Sequence, residues 1–304
     1  MIGDLSILNL NILITLLCWS VWGIFDKKAL ESAAHVGVLF RLYVMALWEA
    51  PLVIAYVQLT TPHWHISSGV WFWTLLAAVV QVVALASYLV AMSVAEASMV
   101  LGVTAAYPLV TQFLSYLFLQ EHIVLTRAFG AAAIACGVAA IGASQNPPQL
   151  AADNPLQPDK RLLLAVCVFL ATFGWGIWGI LDKKALEFGK PVEAWIAECV
   201  WDLVILLVVA SVAYLRGYRV DLSDRKSWWF AFLSSVTLAF GRMTFLGALA
   251  VSTASYVIAI TGCYPLLMYV LALAFLKERF NKVRLFGILF VVAGGIAVQI
   301  TQSQ

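Results

Sequence analysis

Five ionisable residues stand inside long apolar runs of this chain: Arg41, Glu49, Glu198, Asp202 and Arg242. A charge so placed must find a partner or a polar cavity, because low-dielectric surroundings penalise it heavily. Glu198 and Asp202 are four residues apart, so on a helix they share one face. Three carboxylates against two guanidinium groups leave the set one negative charge in excess. It can therefore hold a proton, a cation or the positive group of a ligand. Asp202 is the expected coupling residue, with Glu198 second. Arg41, about five residues into its run, and Glu198 also admit a second reading, in which they snorkel to a polar boundary.

Aromatic residues recur beside these charges. Trp19 and Trp22 return as Trp175 and Trp178, each pair within two helical turns of an aspartate, Asp26 or Asp182. Two readings stay open: an aromatic belt at a membrane interface, or a wall on which an aromatic or cationic ligand stacks. Tyr88, Tyr107 and Tyr264 are counted with the same candidate ligand site. Tyr107-Pro108 and Tyr264-Pro265 are expected mid-helix, where proline frees a carbonyl. Asp26-Lys27-Lys28 and Asp182-Lys183-Lys184 read either as helix-end clusters or as a symmetric gate built on Asp26, Lys27, Asp182 and Lys183. Trp64, Trp71, Trp73, Trp228 and Trp229 flank helix starts and read as belt residues.

Other chemistries find no residues to carry them. The five cysteines (Cys18, Cys136, Cys167, Cys199, Cys263) lie in apolar runs without a CxxC pair, so neither disulfides nor zinc is expected. His63-Trp64-His65 lacks accompanying Cys or carboxylate ligands and reads as an interfacial pair. No HExxH, GxSxG, DDxxD or P-loop occurs, so neither an enzyme nor a cofactor is expected. A net charge of +2 gives no footprint for nucleic acid.

The elements that must position these residues follow from composition. The chain is 63% apolar and 11% charged, whereas soluble chains are about a quarter charged. Its apolar runs are long and lack the alternation of barrel strands, which predicts membrane helices. Ten runs are delimited, at 9–26, 36–58, 70–93, 97–119, 125–143, 161–181, 193–215, 227–249, 253–276 and 282–301. A Pro-rich linker over 146–160 separates a first unit, 1–145, from a second, 161–304. The first run lacks a basic flank and is read as a retained helix.

The two units repeat. WGIFDKKALE, from Trp22 to Glu31, recurs as WGILDKKALE from Trp178 to Glu187, with nine of ten residues identical. Thr104 to Glu121 matches Thr261 to Glu278 at an offset of 157, sharing Thr, Tyr-Pro-Leu, Phe-Leu and Glu. Gly130 and Gly137 return as Gly287 and Gly294, small faces suited to close helix contact. A five-span repeat enters the membrane in opposite senses, so the expected fold is all-α, with ten transmembrane helices as two inverted five-helix repeats. That is a recurring plan of secondary transporters, with the ligand site between the halves.

These motifs resemble the EamA-like branch of the drug/metabolite transporter superfamily. Trp22-Gly23, Arg41, Tyr107-Pro108, Glu121, Gly130 and Gly137 carry the likeness in the first half. Trp178-Gly179, Tyr264-Pro265, Glu278, Gly287 and Gly294 carry it in the second. The pattern departs at Arg41, whose repeat partner is Glu198. The resemblance implies movement of small metabolites such as amino acids through a central cavity by alternating access. A sugar-phosphate or nucleotide-sugar cargo is the alternative, and an intramembrane enzyme is a more distant one. The expected partners are a small-molecule substrate, a coupling proton and the lipid bilayer, in a monomer or homodimer.

Location is expected at the plasma (inner) membrane. Apart from Arg41 and Arg242, twelve Lys and Arg flank odd-numbered loops and four flank even-numbered ones. The positive-inside rule then puts both termini outside, whereas the resemblance implies both inside.

Overall fold

Segments with apolar side chains on every face can satisfy their backbone groups in lipid only as helices. Among the described residues the chain is accordingly helical, with no strand. A computed structural model describes residues 2–60, 65–95, 97–121, 125–143, 158–217, 223–277 and 282–300.

Seven runs form single helices: α1 (Ile2–Leu30), α4 (Ser68–Val94), α7 (Leu125–Ala143), α8 (Pro158–Ala185), α9 (Pro191–Leu215), α10 (Arg225–Val251) and α13 (Lys282–Ile300). The other three each divide in two. They give α2 (His35–Ala46) with α3 (Glu49–Thr60), α5 (Ala97–Thr104) with α6 (Tyr107–Phe118), and α11 (Ala254–Thr261) with α12 (Tyr264–Phe275). The expectation of Tyr-Pro within continuous helices is therefore corrected. Each Tyr-Pro opens a new helix, with proline in the first turn, where its missing N–H would have had no intrahelical acceptor. Most of the linker, and two residues of the His63-Trp64-His65 motif, lie outside the described residues. α8 already begins at Pro158.

Among the described residues seven segments are long and apolar enough to cross a membrane, and Leu125–Ile141 and Leu285–Ala297 are shorter apolar helices. Outward faces are apolar as well. On α9, Val200, Leu203, Val204, Leu207 and Val208 are exposed, and on α1 so are Ile7, Leu10, Leu13 and Leu17. Faces of that extent need lipid around them. This is a multi-pass membrane protein.

The halves pack chiefly on each other. α1 lies along α10 and α8 along α4, while α10 meets α2 and α4 meets α9. α1 also touches α12, and α8 touches α6. Exchanging the halves leaves this pattern of pairs unchanged. α1 and α10 run antiparallel: the Thr15 and Thr244 hydroxyls are 2.8 Å apart, and Ser234 Oγ donates to Asp26 Oδ1 at 2.6 Å. α7 and α13 make the remaining large contact. A Cβ on Gly137 would strike the carbonyl oxygen of Gly287, and one on Gly294 that of Gly130. The glycines thus serve close backbone approach.

Two devices tie helix ends. Lys27 Nζ donates to the carbonyls of Met92 and Ala95 at 2.7 and 3.0 Å, closing the C-terminus of α4. Lys183 Nζ does the same for α10 through Leu249 and Ser252, at 2.5 and 2.8 Å. An ammonium suits these orphan carbonyls at the negative end of the helix. Glu121 accepts from the backbone N–H groups of Ala254 and Ser255 at 2.8 and 3.1 Å, so a residue of the first half caps α11 of the second.

Candidate functional site

Two groups of side chains adjoin where the halves cross. The first is aromatic. Trp19 lies 5.9 Å from Trp178 and 6.0 Å from Tyr264, ring centre to ring centre, and Phe245 sits 5.1 and 5.2 Å from Trp19 and Trp178. Trp22 contacts Tyr88 at 5.1 Å and Trp175 at 5.8 Å, with Tyr107 6.5 Å from Trp175. The repeat explains this geometry, because α1 and α8 bring equivalent tryptophans to one centre from opposite directions. All four tryptophans are buried. The belt reading for Trp19, Trp22, Trp175 and Trp178 is therefore corrected: cross-packing of the halves takes them away from any interface. Belt-like exposure belongs instead to Trp229, while Trp71, Trp73 and Trp228 are half-buried; Trp64 lies outside the described residues. Within the aromatic group, Trp19 Nε1, Trp22 Nε1 and Tyr88 Oη are buried without a hydrogen-bond partner among the described residues. Such groups are uncommon, and they suit a site that offers donors to a ligand.

The second group is charged. Arg242 Nη1 donates to Asp202 Oδ2 at 2.8 Å, and Arg242 Nε lies 3.5 Å from Glu198 Oε2. Asp182, from the expected gate, reaches the same place, its carboxyl meeting that of Glu198. Glu49 accepts from Trp195 Nε1 at 3.2 Å. All five charged side chains are buried. Trp195, Glu198 and Asp202 follow the i, i+3, i+7 spacing that puts them on one face of α9. With Tyr43 and Gln81, the residues Glu49, Asp202 and Arg242 line a cavity of about 20 Å³, the room of roughly one water. The charges meet in a buried site.

Outside this group, Arg41 is 1% exposed and its guanidinium lies 5.3 Å from the Trp228 ring. Glu198 is 3% exposed. Snorkelling is thereby corrected for both, since packed helices surround them. Asp26 meets Ser234 and does not join the charged group. Lys27 and Lys183 make the carbonyl contacts described above, and Lys28 and Lys184 pair with Glu31 and Glu187 at 2.6 and 2.9 Å. The repeated decapeptide thus makes the same local bonds twice.

Apart from Asp182, which repeats Asp26, the charged group does not obey the repeat. At the same offset of 157, Asp202 corresponds to Met45, Arg242 to Leu85, Glu198 to Arg41 and Glu49 to Leu206. A symmetric scaffold thus carries an asymmetric centre. Sequence reasoning marked Glu49 as embedded but missed its partner Trp195, and it placed Asp182 at a gate rather than here. The α9 spacing from Trp195 to Asp202 was the signal that could have joined them.

Comparison with known proteins agrees with the duplication. The sequence profile of the EamA-like transporter family matches residues 6–143 and again 162–299. An uncharacterized protein of Methanocaldococcus jannaschii is 24% identical over 143 residues, which are 47% of this chain and 98% of that protein. That relative is thus about one repeat long. A crystal structure of another protein superposes with a TM-score of 0.74 at 13% identity, covering 97% of this chain and 98% of the other. That likeness concerns the fold.

Proposed function

The chain belongs to the EamA-like transporter family, and from that premise we propose that it is a secondary transporter of a small polar or amphipathic metabolite. An amino-acid-like compound is the favoured cargo. On this reading the ten apolar runs are ten spans in two inverted repeats, and the halves rock about the central site. The observation that carries the proposal is the buried charged group beside the aromatic group at the crossing of the halves. Several carboxylates, indole donors and stacked rings together complement the ammonium group and apolar side chain of such a compound, and the indole N–H groups can meet its carboxylate. A phosphorylated cargo suits the site less well, because Arg242 is already engaged by Asp202 and Glu198.

The same group supports proton coupling, with Asp202 and Glu198 as carriers. Asp202 is held by Arg242 through a hydrogen bond of 2.8 Å, whereas Glu198 stands farther from the guanidinium, at 3.5 Å, with both carboxylate oxygens free of hydrogen bonds among the described residues. Glu198 is accordingly the better placed of the two. A proton bound more weakly when cargo is present would link the two fluxes reciprocally.

The test is a thermal-stability screen of purified protein against amino acids, sugars and nucleotide sugars, followed by uptake into proteoliposomes. A ligand at about 100 times its Kd should stabilise the folded form by about 2.7 kcal/mol. Failure of every class both to stabilise and to cross would refute the transporter reading. Product formation without net flux would favour an enzyme.

A further inference from the structure

A second, larger recess lies beside the charged centre. It has a volume of about 420 Å³ and lies between α1, α3, α9 and α10, within the range of small-molecule sites. Its walls are aromatic and apolar, with Trp48, Trp195, Phe240 and Met243. Its one carboxylate is Glu49, itself 4% exposed. Phe240 and Met243, 48% and 39% exposed, form the outer lip. Both indoles are fixed in orientation: Trp48 Nε1 donates to Ser235 Oγ at 3.1 Å and Trp195 Nε1 to Glu49 Oε2 at 3.2 Å.

We propose that this recess is a binding site for an organic ammonium ion with an aromatic or branched apolar body, and that Glu49 is its counter-ion. The proposal rests on the transporter reading and gives its cargo a chemical class. A buried carboxylate calls for a positive partner, and the nearby guanidinium of Arg242 is already taken up by Asp202 and Glu198. Indole and phenyl rings around such a carboxylate attract a cation through their faces and cover its apolar body. An anion would meet the wrong charge.

Position supports the assignment independently. Glu49 lines the recess and the small cavity alike. It stands at the break between α2 and α3, whereas α9, the equivalent run of the other half, is unbroken from Pro191 to Leu215. The break turns Trp48 and Glu49 toward the recess, and the repeat counterpart of Glu49 is Leu206. Bound at Glu49, the ammonium group of a ligand stands at the boundary of the charged centre.

Equilibrium binding of radiolabelled benzyltrimethylammonium to the full chain in nanodiscs tests the proposal. Saturable binding is expected, resisted by benzenesulfonate and weakened by Glu49→Gln at least about tenfold, as for loss of a charged partner. Phe240→Ala, at the exposed lip, should fold normally and weaken binding by a few-fold. The proposal is overturned if wild type shows no saturable binding, if Glu49→Gln binds as wild type does, or if benzenesulfonate competes as well as the cation. Should Glu49→Gln fail to fold, unchanged affinity in Phe240→Ala overturns it. Because binding requires no flux, saturable binding by a protein that transports nothing would refute only the transporter reading. Transport of another metabolite without cation binding would refute only this one.

Discussion

Replacing Arg242 by methionine removes the guanidinium from the charged group while keeping much of its apolar bulk. Asp202 loses a hydrogen bond of 2.8 Å and Glu198 a neighbouring charge at 3.5 Å. Both stay buried at 8% and 3% exposure. Breaking a buried ion pair from one side costs about 3–5 kcal/mol, or roughly two to four orders of magnitude in the folding equilibrium. Unfolding of the reconstituted protein by SDS, followed by circular dichroism, would measure it. Adding Asp202→Asn should recover at least about 1 kcal/mol, because one stranded charge is gone. As a control, Lys226→Met breaks only the exposed pair with Glu31 and should cost below about 1 kcal/mol. The reasoning is refuted if Arg242→Met costs no more than that control, or if the double variant is no more stable than the single one.

Topology can be tested at Lys28 and Lys184, which are accessible where Asp26 and Asp182 are not; cysteines placed there should react with an impermeant thiol reagent from opposite faces of the membrane, and reaction from one face would sink the inverted repeat. Trp22→Leu and Trp178→Leu should weaken cargo binding by about tenfold while the protein still folds, for loss of ring contacts and a donor; an unchanged Kd in both would remove the aromatic group from the site. Gly137→Val drives a side chain into the backbone of α13 at Gly287 and should lower stability by about 1–3 kcal/mol, with a wild-type denaturation midpoint as the contrary result. For coupling, Glu198→Gln should abolish accumulation driven by a pH gradient yet preserve exchange between equal pools, with Asp202→Asn as the second variant; wild-type accumulation in both would show that neither carboxyl carries the proton.

Much of the fold could be read from the chain because lipid restricts backbone so severely. Ten apolar runs were delimited, and helices occupy each of them. The three breaks were harder to see. Tyr-Pro signals a disturbance, yet whether a kink or a new helix follows depends on neighbours that periodicity does not report. The break at Leu47–Trp48 did carry a signal, Pro51, which has no N–H to give the carbonyl of Leu47 and whose ring crowds it, and that signal was passed over. In the site, Trp19, Trp22, Trp175 and Trp178 were visible as a repeated pair, but only the crossing of α1 and α8 decides between belt and centre. Glu121 stood out as a repeated residue, and its partner was illegible because it is a helix end 133 residues away.

The mismatch between Arg41 and Glu198 has an energetic consequence for a machine built from two copies. If both halves were identical, swapping their conformations would return the same molecule upside down, so the inward-open and outward-open forms would be degenerate. A relative one repeat long, were it to assemble as a pair of identical chains, could not escape that equality. Joining the copies in one chain lets each drift separately, and a cation at one site with an anion at the other lifts the degeneracy. A difference of only about 1.4 kcal/mol would already favour one form tenfold, so in the alternating-access carrier proposed above the resting state would be set at the positions where duplication has been erased.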